Sequence, residues 1–267
     1  MTDRRYDRDT YFLETCDALA ALQIDRDAFA RRNALLLLKP DAAITGAMRP
    51  AVTWLLDHGY RIVGAYPVRF TGLHIRALWY FNWHDATRER RRLADRLAGL
   101  SPAVVLVVTH PDDAQPVSVR LTADKGPADP ARREPGQLRH ELGAGTYLLN
   151  LIHTPDNPDD VLRELSIYFA EPLLSEVLSE CATGADASAE AFRIVDRIES
   201  GLDRRSGDLA AAQDAICAEL TRIGITERPR SGGEWLGALD EASRRGVRLD
   251  PWFSTVIEAS YLPMHRR

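Results

Sequence analysis

The stretch 146-TYLLNLIHTPDNPDDVLRELSIYF-169 decides how the chain is read. Tyr147 to Ile152 is a short apolar run suited to a β-strand, and Asp156-Asn157-Pro158-Asp159 supplies the cap residues and the proline that open a helix. From Val161 onward, Val161, Leu162, Leu165, Tyr168 and Phe169 recur at spacings of three and four. That period predicts an amphipathic helix with Arg163 and Glu164 off its main stripe. His153 thus stands between a strand and a helix start. A histidine there is most often structural. Asn150, three residues earlier, faces the other side of a regular strand, so the two cooperate only across a bend near Ile152.

Working outward, a second strand-like run, Leu35 to Leu38, ends in Lys39-Pro40-Asp41, and a later loop carries Pro135-Gly136-Gln137-Leu138-Arg139. Lys-Pro-Asp after a first strand, Pro-Gly-Gln-Leu-Arg in a loop and Asn-x-x-His before an acidic helix start resemble, in that order, the nucleoside diphosphate kinases. The resemblance runs from about Asn33 to Leu174 and leaves both flanks outside it.

The resemblance implies a phosphotransferase that moves the γ-phosphate of a nucleoside triphosphate through phospho-His153 to a nucleoside diphosphate or another phosphorylated acceptor. His153 is then the nucleophile, and Glu164, eleven residues on, is the carboxylate that orients it. Asn150 falls where the family binds nucleotide sugar and phosphate. Lys39 and Arg139 supply cations against the phosphate oxygens: a compact point charge and a planar fork that holds two oxygens. A further family arginine falls on Val119, with Arg120 beside it as the replacement. An aromatic lies by the nucleotide in the family, and Tyr80 or Trp79 takes that place. Asp156 matches an acid near Mg2+, which would arrive with the nucleotide.

Two departures bear on recognition. Lys125 stands where the family has a phosphate-contacting threonine, and the loop from Pro127 to Pro135 is longer. After the histidine, Thr154-Pro155-Asp156 keeps only the acid of the family's glycine, serine and aspartate. These changes also fit a second reading, a catalytically degenerate module that senses nucleotide or serves assembly. The paired His153 and Glu164 speak for the enzyme.

Composition bounds the rest. Hydrophobic content of 45% and charged content of 27% are those of a globular protein, and no run of eighteen apolar residues is present to span a bilayer. The opening MTDRRYDRDTYF resembles neither a secretory signal nor a transit peptide, so a cytoplasmic location is expected. Cys16, Cys181 and Cys217 form no C-x-x-C pair, which argues against a zinc site or a disulfide framework. A net charge of −5 argues against general nucleic-acid binding, and the arginine run 88–92 reads as a solvated helix face.

In chain order, residues 8–32 read as one or two helices, followed by strands at 34–39, 60–70 and 102–109 and the strand before His153. Helices are expected over 47–58, 73–83, 87–97 and 117–123, and a long loop over 125–145. This alternation predicts a ferredoxin-like antiparallel α/β sandwich with added helical extensions, in agreement with the family fold. The expected units are an N-terminal helical arm (1–33), a nucleoside diphosphate kinase-like domain (34–180) and a C-terminal helical extension (181–267). Cys181 to Ala187 reads as a small-residue linker between the last two. A homo-oligomer is expected by the same resemblance.

Overall fold

In the computed structural model, which describes residues 5–266, helices α1 (Thr10–Ala21) and α2 (Arg26–Arg32) lead into strand β1 (Ala34–Leu38). Helices α3 (Pro40–Thr45) and α4 (Met48–Asp57) follow, then β2 (Arg61–Val68), α5 (Gly72–Leu78), α6 (Arg88–Ala98) and β3 (Ala103–Thr109). Helices α7 (Val117–Lys125) and α8 (Leu138–Glu141) precede β4 (Ile152–His153) and α9 (Pro158–Tyr168). The chain ends in α10 (Leu173–Thr183), α11 (Ser188–Ser200), α12 (Leu209–Arg222), α13 (Gly232–Arg244) and α14 (Pro251–Tyr261).

The strands form one antiparallel sheet in the order β2-β3-β1-β4, the ferredoxin-like arrangement that the alternation predicts. Both faces of the sheet are covered, which is why β1 is apolar at every position. Successive side chains of a strand point to opposite faces. Leu35 and Leu37 therefore join a core with Val161 and Leu165 of α9, Leu93 of α6 and Leu19 of α1. Ala34, Leu36 and Leu38 join a second core with Val52 of α4 and Val195 of α11. Residues directly opposite in an antiparallel pair share a face. His153 lies opposite Leu37, so the register alone places it on the face that α9 covers.

The strand expected over Tyr147–Ile152 is mostly absent, because only Ile152 and His153 pair with β1. Local side chains take the backbone groups that a ladder would use. Thr146 Oγ1 accepts from the Leu149 N–H at 3.0 Å, Asn150 Nδ2 donates to the Tyr147 carbonyl at 2.9 Å, and Asp41 Oδ2 accepts from the Leu151 N–H at 2.9 Å. Leu151 itself adopts φ 68°, a left-handed conformation that costs a non-glycine residue about 1–2 kcal/mol. The chain bends there, one residue before Ile152.

Three further expectations change. The helix expected over 73–83 ends at Leu78 and gives way to turns and a short 3₁₀ segment, Trp83–Asp85. The loop 125–145 contains α8, and Arg133 ties it together by donating to the carbonyls of Pro127, Ala128, Ala144 and Thr146. The linker begins later than Cys181, since α10 runs to Thr183 and Cys181 is buried within it.

Residues beyond that turn pack directly on the sandwich. The Ala187 N–H donates to the Ile62 carbonyl of the edge strand β2 at 2.8 Å. Glu199 of α11 accepts from the Met48 N–H at 2.8 Å, placing a carboxylate at the N-terminus of α4, where the helix dipole favours it. Arg92 and Arg96 of α6 both reach Glu258 of α14, so part of the arginine run expected to be solvated is engaged in ion pairs.

Candidate active site

His153 and Glu164 meet because a short strand and the helix after it share one face of the sheet. Asn157 caps α9 by accepting from the Asp160 N–H at 3.0 Å, and Pro158 occupies the first turn, fixing where the helix begins. Two turns on, Glu164 Oε1 accepts from His153 Nε2 at 2.8 Å, and Glu164 Oε2 accepts from the Tyr168 hydroxyl at 3.2 Å. An ionised carboxylate only accepts, so Nε2 carries the donated proton, and in the neutral imidazole the lone pair is then on Nδ1. Nδ1 makes no hydrogen bond to a described residue. The edge of Trp79 meets the His153 ring at 5.0 Å and 65°.

Lys39, Arg139 and Lys125 line the same cavity as this histidine, and each is held by neighbouring oxygens. Lys39 follows β1, and its Nζ donates to the Leu148 carbonyl at 3.0 Å and lies 3.4 Å from Asp41 Oδ2. Burial lowers the Lys39 pKa, while the Asp41 carboxylate opposes that shift. Asp41 has two tasks, since it also holds the bent Leu151 through that residue's N–H. Arg139 of α8 donates to the carbonyls of Gly126 at 2.8 Å, Ile152 at 2.7 Å and Asn150 at 3.3 Å. Burial, helped by the nearby Arg133 charge, pushes Arg139 down to about 10. Lys125 closes α7 and donates to the Thr154 hydroxyl, with Asp156 Oδ1 at 3.7 Å. Burial and the Arg139 charge push it down to about 8.

A cavity of about 770 Å³ joins these groups, a size suited to a small-molecule ligand. His153, Glu164, Lys39, Arg139, Lys125, Asn150 and Asp156 all line it. Two expected members lie elsewhere. Arg120 turns to an ion pair with Asp112, outside the cavity. Tyr80 is 69% exposed and packs edge-on against Phe81. Because the helix stops at Leu78, the next residue, Trp79, faces the cavity and Tyr80 faces out.

Other lining residues escape sequence reasoning. Arg5 and Tyr6 come from the N-terminal arm, and the Tyr6 hydroxyl bonds Asp160 at the start of α9. Arg90 sits over the Tyr147 ring at 4.9 Å and the Trp83 ring at 5.4 Å, in a run read as a solvated face. The one available signal was compositional: aromatics crowd positions 79–83 opposite an arginine-rich helix start.

Among the described residues no group of three His, Cys, Asp or Glu side chains converges to hold a metal ion. Asp156, 73% exposed at the cavity mouth, offers a single carboxylate. That donor set fits Mg2+ carried mainly by phosphate oxygens and water, which is how this ion usually binds with nucleotides.

The architecture is that of an antiparallel α/β sandwich with an electropositive cleft at the end of its central strand. The chain belongs to the nucleoside diphosphate kinase family, whose model matches residues 32–173. The nucleoside diphosphate kinase of Thermococcus kodakarensis is 28% identical over 152 residues, spanning 53% of this chain and 79% of its own length. That of Roseiflexus castenholzii is 31% identical over 146 residues, spanning 53% and 91%. Among solved structures, the Aquifex aeolicus nucleoside diphosphate kinase covers 53% of this chain and 97% of its own, at 23% identity and a TM-score of 0.45. Helix α1, all but the last residue of α2, all but the first residue of α10, and α11–α14 fall outside the matched segment.

Proposed function

We propose that the chain is a phosphotransferase that carries the γ-phosphate of a nucleoside triphosphate through His153 to a nucleoside diphosphate or related phosphorylated acceptor. One observation supports this most: Glu164 holds Nε2 of His153 at 2.8 Å while Nδ1 has no partner among the described residues, in a cavity lined by Lys39, Lys125 and Arg139. In the first step the Nδ1 lone pair attacks the γ-phosphorus, and the bond to the bridging oxygen breaks. The diphosphate leaves with that electron pair. The ring gains positive character, which Glu164 offsets through the Nε2 proton it already holds. In the second step a terminal oxygen of the acceptor attacks the phosphorus and the N–P bond returns its pair to Nδ1.

Such transfers depend chiefly on positioning and on cations set against the phosphate oxygens. Lys39 and Arg139 are already immobilised in the cavity, so little reorganisation is needed when phosphate enters. Mg2+ bound with the nucleotide would neutralise phosphate charge, with Asp156 as the carboxylate at hand. Lys125 and the loop from Lys125 to Gly145 set acceptor choice in this reading, because a long cation beside Thr154 alters both space and charge next to the reacting phosphate.

A second reading, a nucleotide-binding or assembly module without turnover, draws support from the same contact. Lys125 is committed to Thr154 directly after the histidine, and Pro155 stiffens that backbone. Incubation with γ-labelled triphosphate separates the two readings. Acid-labile, alkali-stable label on the protein that a nucleoside diphosphate then removes is the expected result. Bound nucleotide with no label would transfer the case to the second reading.

A further inference from the structure

We propose that Tyr168 is a positioning residue for His153, holding the far oxygen of Glu164 so that the near oxygen keeps the imidazole in one tautomer and at one ring angle. The catalytic consequence rests on the phosphohistidine reading, whereas the tautomer itself does not.

The geometry carries the argument. Glu164 and Tyr168 are four residues apart on α9, so their side chains lie one above the other on the same face of the helix. The Tyr168 hydroxyl donates to Oε2 at 3.2 Å and the His153 ring donates to Oε1 at 2.8 Å, so the carboxylate is gripped at both oxygens. These two are the donors to Glu164 among the described residues, and the carboxylate is 5% exposed. A buried carboxylate with one oxygen unpaired is both less stable as an anion and freer to rotate. Rotation about the bond to the carboxylate would move Oε1 off the Nε2 direction and release the ring.

Tyr168 is suited to this role and to little else in the site. It does not line the cavity, so it touches no ligand there. Burial, followed by the charge of Glu164, pushes its phenol far above the ordinary value, so it stays protonated and remains a donor throughout the working pH range. Its contact also forms within a single helix, which makes the placement of Glu164 independent of whether nucleotide is present.

The test compares wild type, Tyr168→Phe, Glu164→Gln and the double variant. Phenylalanine keeps the ring and its packing and removes only the hydroxyl. Nitrogen NMR of the imidazole should show a single Nε2-protonated tautomer for His153 in wild type and a mixture in Tyr168→Phe. Single-turnover labelling by γ-labelled triphosphate should slow about five- to tenfold in Tyr168→Phe, the effect of one buried hydrogen bond to a charged group, with the triphosphate Kd unchanged within about twofold. In a Glu164→Gln background, Tyr168→Phe should add nothing, since its effect passes through the carboxylate.

An unchanged tautomer in Tyr168→Phe would overturn the proposal, as would an equal further loss in the Glu164→Gln background. Slower labelling with a lowered melting temperature and a triphosphate Kd weakened in proportion would assign Tyr168 to packing alone and overturn it too. A wild type that takes no label would remove the phosphohistidine reading. The NMR comparison would still decide what Tyr168 does.

Discussion

The cavity has two walls, and they hold their side chains by different means. On the wall formed by the end of β1, the bent segment 146–151 and α9, the polar groups are fixed by hydrogen bonds to backbone or to buried side chains. Arg139 grips three carbonyls, Lys39 reaches the Leu148 carbonyl, and Glu164 is gripped by His153 and Tyr168. On the other wall, the α5–α6 connection presents rings. Trp79 stacks on Trp83 at 6.1 Å, and Arg90 sits over the Trp83 ring at 5.4 Å and reaches Tyr147 of the first wall at 4.9 Å. Ring contacts tolerate sliding that a hydrogen bond does not. The first wall is built for fixed chemistry and the second for adjustable recognition.

The sharpest way to break that comparison is His153→Ala. Labelling by triphosphate should fall below about one part in a thousand of wild type, as when other enzymes lose a nucleophile. Triphosphate affinity by calorimetry should change by less than about threefold, because the nucleophile acts on bond-making and not on ground-state binding. Appreciable label on the variant would move the chemistry off the fixed wall.

Next in size is Arg139→Ala. It removes one preorganised charge, for which a rate loss of about a hundredfold is expected. It also strips the donors from three carbonyls, each worth about 1 kcal/mol when buried, but it relieves the burial that pushes this charge down to about 10, so thermal unfolding should show a net loss of only roughly 1–2 kcal/mol. Lys39→Ala should likewise slow the reaction and weaken triphosphate binding. An Arg139→Ala protein that is slow yet fully stable would show that the carbonyl contacts are incidental and the wall is not a fastened one.

Much of the fixed wall was legible in the sequence, and little of the aromatic wall. The unbroken apolar run of β1 and the acidic helix start after His153 are local patterns, while the pairing of His153 with Glu164 came from the resemblance, which sets a glutamate eleven residues beyond the histidine. The bend was foreseen near Ile152, but its form was not. A left-handed leucine carries no sequence signal, and the carboxylate that accepts from its N–H, Asp41, is 110 positions away. Tyr6 stands 154 positions from Asp160, and no periodicity links them. The choice between Trp79 and Tyr80 turned on where one helix stops. That one-residue difference decides which side chain faces inward, and helix ends are the least certain feature of a sequence.

Lys125 belongs to the fixed wall, yet it is set against stability. Its folded pKa of about 8 lies below the ordinary 10.5, so between those values the unfolded chain binds more protons and stability rises with pH. The destabilisation is full below about pH 8 and is relieved as pH climbs toward 10.5. The gap corresponds to about 3 kcal/mol as an upper bound. Lys125→Met should therefore gain roughly 1–2 kcal/mol at neutral pH, after losing the contact to Thr154, and should flatten the dependence. Triphosphate affinity should weaken in wild type above pH 8, as the ammonium is lost, and fall less steeply in the variant, where Lys39 is left as the buried lysine that still titrates. Denaturant melts and calorimetry across that range check both statements.

The smallest effects are expected where side chains were assigned to the nucleotide by resemblance and lie outside the cavity. Arg120→Ala and Tyr80→Ala should each change triphosphate Kd and labelling rate by less than about twofold, since neither the Arg120–Asp112 pair nor the exposed Tyr80 ring lines the cavity. Trp79→Ala should cost more, about two- to tenfold in labelling, because its ring meets His153 edge-on and limits that ring's freedom. The ranking tests the division between walls directly. Trp79 belongs to the aromatic wall but touches the fixed one, so its loss should appear mainly in rate, while a residue acting on recognition alone would appear mainly in affinity. If Arg120→Ala instead weakened triphosphate binding tenfold, its pair with Asp112 would have to open when phosphate arrives. A cation would then swing into the cavity, and preorganisation would hold for Lys39 and Arg139 but not for the whole charge set facing the phosphate.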